Sequence, residues 1–113
     1  MPKFIIEREI PHAESFDIQQ LKTLSKKSRA VLDTLGTDIQ WIHSYVAGDK
    51  IYCIYMATNK EILFEHARIA GFPANHISEV ANIIDPQWGE WPVFITGIIT
   101  FYKFSMYDFL NSV

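Results

Sequence analysis

The chain has one cysteine, Cys53, in 113 residues. No disulfide can close within it, and a disulfide-stapled secreted scaffold is excluded. It also lacks an excess of positive charge. The formal net charge is −3, which gives no electrostatic basis for holding a phosphate backbone, so nucleic acid is not an expected partner. Charged residues are only 20% against 49% hydrophobic, the wrong balance for a disordered chain. Low-complexity stretches and internal repeats are absent. A membrane-spanning helix needs roughly 20 apolar residues, and the apolar run Val93–Tyr102 stops after ten, at Lys103. The opening stretch MPKFIIEREIPHAE carries Glu7 and Glu9 where a signal peptide has an unbroken apolar core. Together these absences predict a soluble cytoplasmic protein without a membrane partner. Catalytic signatures are missing too. There is no GxGxxG, no Walker A pattern, and no second histidine one turn after Glu65-His66 to make a metalloprotease motif.

What is present centres on IQWIHSYVAGDKIYCIYMA, residues 39–57. Two strand-like runs flank Gly48-Asp49, and glycine at the first central position suits a two-residue type II′ hairpin. That turn predicts the pairs Tyr45–Tyr52, Ser44–Cys53 and His43–Ile54. One face then carries Ile42, Ser44, Val46, Ile51, Cys53 and Tyr55, compact enough to lie under helices. The other carries Trp41, His43, Tyr45, Tyr52, Ile54 and Met56, an aromatic surface with an imidazole among the rings.

Around this hairpin the chain reads as strand, helix, strand, strand, helix, strand. Lys3–Ile10 alternates into a first strand, with Phe4, Ile6, Arg8 and Ile10 on one side and Ile5, Glu7 and Glu9 on the other. Asp17 and Gln20 have capping-box spacing before a helix marked by Leu21, Leu24, Ser28, Val31, Leu32 and Leu35 and closed by Gly36. Thr58 and Glu61 have the same spacing before a second helix that ends at Gly71 and Pro73. Residues 77–84 alternate weakly as a fourth strand. Right-handed crossovers turn this order into an α+β, ferredoxin-like βαββαβ domain over residues 1–86. It has a four-stranded antiparallel sheet in the order 4-1-3-2, with both helices on one face. Residues 87–113 form an apolar C-terminal extension, expected to add a strand or to serve as an arm across a dimer.

The strings PKFIIEREI, DIQWIHSYVAGDKIYCIYMA, EHARIAGFPANHI and IIDP resemble the small bacterial DUF4242 family, also described as nickel-binding-protein-like. The likeness spans roughly residues 2–86. It implies a ferredoxin-like fold, a homodimer and binding of Ni²⁺ or another divalent transition metal, and it implies no established reaction. His12 stands where the family pattern has a small residue, and His76 where it has a basic one.

His43 is the first candidate metal ligand, since neutral imidazole suits nickel, zinc and copper. Glu7 shares the expected open face of the sheet. Two strand spacings of about 4.8 Å separate the two residues, so a second subunit is the natural source of a further ligand. His66 on the second helix is the third candidate. Each has a plain structural reading beside it. His43 could simply hydrogen-bond Tyr45 or Tyr52 inside a dimer interface, and His66 could be packed against apolar neighbours. Cys53 reads as a small buried hydrophobe. Trp41, Tyr45 and Tyr52 could stack a bound ligand, or form the apolar surface that a second subunit covers. The competing function is a small-molecule enzyme or ligand-binding protein of the dimeric α/β-barrel type, with a pocket lined by His43, His66 and Tyr45.

Overall fold

Four short strands carry the architecture, and their alternation decides which side of the sheet is covered. The structure, a computed structural model, describes residues 1–86. The extension over 87–113, with the strand or arm expected of it, lies outside the described residues. Strand β1 (Lys3–Glu9) buries Phe4, Ile6 and Arg8 and leaves Ile5 and Glu7 half-exposed, the period-2 pattern of a strand with one covered face. Strand β3 (Lys50–Ala57) does the same with Ile51, Cys53, Tyr55 and Ala57. Strands β2 (Ile39–Ala47) and β4 (His76–Glu79) flank this pair. The order is β2-β3-β1-β4 with every pairing antiparallel, as the ferredoxin-like reading requires.

Helix α1 (Ile18–Leu35) begins at Asp17. Its carboxylate accepts the Gln20 backbone N–H, and the Gln20 side chain accepts the Asp17 N–H. This reciprocal pair satisfies two donors that helix geometry leaves free. Helix α2 (Lys60–Ala70) starts one residue later than the Thr58–Glu61 spacing predicts, because Asn59 is the cap and accepts the Ile62 N–H at 3.1 Å. The Thr58 N–H is committed to the Asp38 carbonyl, one step beyond the last strand pair, Ile39 with Ala57, so Thr58 is still tied to the end of the hairpin. Gly71 closes α2 at φ +74° and bonds back to the last turn, the left-handed cap that glycine adopts without strain. The fourth strand is shorter than expected, ending at Glu79 rather than at 84.

The hairpin turn is as predicted, with Gly48 at φ +59°, and the register holds from Ala47 and Lys50 back to His43 and Ile54. It then slips by one. Trp41 pairs with Tyr55, and Ile42 is the extra residue of a β-bulge. Trp41 therefore belongs to the helix-covered face, not to the aromatic open face, and Ile42 is 41% exposed rather than covered. The core, centred on Ile6, Tyr55 and Leu63, lies between the sheet and the helices.

Candidate functional site

The open face of the sheet is organised by its register. Tyr45 pairs with Tyr52, Tyr52 with Glu7, and Glu7 with His76, so these four residues form one row across all four strands. Directly paired side chains on one face sit about 5 Å apart. A histidine and a carboxylate are thus immediate neighbours. The next row runs from His43 through Ile54 and Ile5 to Ser78. The His43 ring meets the Tyr45 ring edge-on, with centroids 4.9 Å apart, and Tyr45 is 58% exposed. Lys50 donates to Glu7 from the same face. This hydrogen bond holds the Glu7 carboxyl below its ordinary range, aided by the Lys50 charge and, more weakly, by His76.

His66 lies on the other side of the sheet. It is fully buried, its Nε2 is 3.3 Å from Ser28 Oγ on α1, and its ring packs against those of Tyr55 and Phe72. Its Nδ1 has no partner. Burial first, and the nearby Arg8 charge second, push its pKa down to about 4, so it is neutral near pH 7. His66 does not join His43 and Glu7. Helix α2 aims it into the core, as the apolar neighbours at its helical spacing suggest.

Beside His66, α1 spans an apolar cavity of about 260 Å³ over the sheet, lined by Leu21, Leu24, Ser44, Ile51, Cys53 and Tyr55 among others. Trp41 also reaches it, with its Nε1–H donating to Ser44 Oγ at 2.9 Å. Neither His43 nor Tyr45 does, so the expected His/Tyr-lined pocket is instead lined by apolar side chains, hydroxyls and one cation. That cation is Arg8, 2% exposed. Its Nε donates to Cys53 Sγ at 3.4 Å, and Nη1 to the Pro73 carbonyl at 2.7 Å.

Of the residues singled out from sequence, Glu7, His43, Tyr45 and Tyr52 share the open face, while Trp41 and His66 do not. Among the described residues no group of three or more His, Cys, Asp or Glu side chains converges as a complete metal cage. Two residues take on a role that the sequence did not give them: His76 was legible only as an extra histidine able to add a surface metal site unrelated to the family's, and Arg8 only as a strand residue. His76 became a neighbour of Glu7 only through the β1–β4 register. Arg8 had a visible signal, being the one charge in the apolar series Phe4, Ile6, Arg8, Ile10. Among the described residues no helix is long and apolar enough to cross a membrane.

A family model described as "Nickel responsive protein SCO4226-like" matches residues 4–80. Among solved structures, the crystal structure of SCO4226 from Streptomyces coelicolor A3(2) superimposes with a TM-score of 0.61 at 20% identity, covering 73% of this chain and 99% of that one. At that identity the likeness supports the fold alone. No curated protein matches the chain.

Proposed function

Since the chain belongs to the SCO4226-like nickel responsive family, we propose that it binds Ni²⁺ on the open face of its sheet, as a homodimer. The observation that carries this reading is the register, which sets His76 directly beside Glu7 and leaves His43 exposed in the adjoining row. Imidazole and carboxylate are borderline-to-hard donors suited to a divalent transition metal with water completing its shell. One chain offers two adjacent donors, short of a cage, so water or His43 of a second copy would supply the rest. Tyr45 and Tyr52 give such a copy an apolar surface to cover. His66 has no part in the site, because burial and the Arg8 charge both oppose a cation there.

Titration of tag-free protein with Ni²⁺ tests this. His76→Ala and His43→Ala are each expected to weaken binding, and a buried-site control, His66→Gln, to leave it unchanged. Lys50 competes with the metal for Glu7, so Lys50→Met is expected to tighten binding several-fold. Wild-type protein with no affinity better than roughly 1 mM, about −4 kcal/mol, would remove the metal reading.

A further inference from the structure

We propose that the cavity between α1 and the sheet is a binding site for a small monocarboxylate with an apolar body, its carboxylate held by Arg8. The open-face nickel reading plays no part in this; the two sites lie on opposite sides of the sheet.

Arg8 is a buried guanidinium with no carboxylate partner among the described residues. Its bonds go to a thiol and a peptide carbonyl, both uncharged. The Phe72 ring lies 5.5 Å away, the uncharged Tyr55 hydroxyl also interacts with the guanidinium, and among the described residues Nη2 has no geometrically formed hydrogen bond. A charge removed from water is normally paired, and leaving it unpaired is costly. Guanidinium is also the side chain best shaped to receive a carboxylate.

The space beside Arg8 defines the rest of the ligand. Leu21, Leu24, Trp41 and Ile51 line it, and helix α1 fully buries only Ser28, so the helix bridges the space rather than filling it. At about 260 Å³, it exceeds the roughly 150 Å³ that admits benzene in an engineered apolar cavity. There is room for a ring or short chain plus a carboxylate. Among the described residues Arg8 is the only cation in the lining, which matches a monoanion rather than a phosphate dianion. The Ser44 hydroxyl, which accepts from Trp41, keeps its own proton to donate. Val46, 40% exposed, belongs to the same lining and provides a rim toward solvent.

Calorimetric titration of the full chain with phenylacetate, octanoate and the neutral isostere phenylacetamide tests the proposal. At least one acid is expected to bind, and phenylacetate at least about ten-fold more tightly than its amide, the factor that one charge-assisted hydrogen bond supplies. In Arg8→Met the acid and amide should bind alike. A second variant, Leu24→Trp, fills the cavity without touching Arg8 and should abolish acid binding, which keeps the test decisive if Arg8→Met does not fold. Binding of neither acid at 10 mM (roughly the weak limit of such titrations), equal wild-type affinity for acid and amide, a preference that survives Arg8→Met, or acid binding undiminished in Leu24→Trp would each overturn it.

Discussion

At the residue scale, the two buried side chains with an unpaired nitrogen among the described residues, Arg8 and His66, are neighbours, and the Arg8 charge acts on His66. The His66 pKa of about 4 in the folded chain lies below the ordinary value near 6.5. Between those values the unfolded chain binds the extra proton. His66 therefore contributes its full share of stability above about pH 6.5, and that share is lost as pH falls toward 4. The shift corresponds to about 3 kcal/mol. Urea unfolding across this window is expected to show the loss in wild type and a flatter profile in His66→Gln; parallel profiles would contradict the assignment. Arg8 was legible in sequence as a charge on an apolar stripe, and His66 as a histidine among apolar helix neighbours. The absence of a carboxylate for Arg8 was not legible, because it depends on every element that packs around the guanidinium. His12 is a smaller case. It sits at φ +62°, a left-handed conformation that most side chains avoid and histidine enters more often than most, and nothing in the sequence around it marked that backbone.

At the element scale, α2 distinguishes a sequence spacing from the contact it stands for. Removing the Asn59 side chain as Asn59→Ala should cost about 1 kcal/mol. Thr58→Ala should fall within about 0.5 kcal/mol of wild type. The reverse order in thermal unfolding would restore Thr58 as the cap. The β2 bulge yields a second prediction. Deleting Ile42 removes the extra residue and leaves Trp41 opposite Tyr55 and His43 opposite Ile54, both on their present faces. That deletion should fold with the same pairings, read as cross-strand backbone contacts by nuclear magnetic resonance. Deleting Trp41 instead removes a cavity-lining ring and should destabilise the fold. Strand order, helix order, the Asp17 capping box and the Gly48-Asp49 turn were all legible, since period, caps and turn residues are local. The bulge was not. It inserts one residue without any glycine or proline to mark it, and it moved Trp41 from the expected open face to the covered one. The fourth strand was over-read for a similar reason, because weak alternation continues past the four residues that β1 pairs.

At the scale of the whole molecule, the sheet separates two chemistries. The covered face holds a neutral imidazole and a cation beside an apolar cavity. The open face holds an exposed and a half-buried tyrosine, two imidazoles and a carboxylate already engaged by Lys50. If a second copy covers that open face, charge placed at its centre should prevent it. Tyr45→Glu is expected to shift the protein to monomer in light scattering at micromolar concentration, and a wild-type monomer under the same conditions would refute the dimer. The central claim, that nickel goes to the open face, is tested most directly by the ring-proton resonances of the four histidines as paramagnetic Ni²⁺ is added to tag-free protein. The resonances of His76 and His43 should shift and broaden at the lowest metal additions, with His66 and His12 unaffected. First response at His66 or at His12, or no selective response, would contradict the claim.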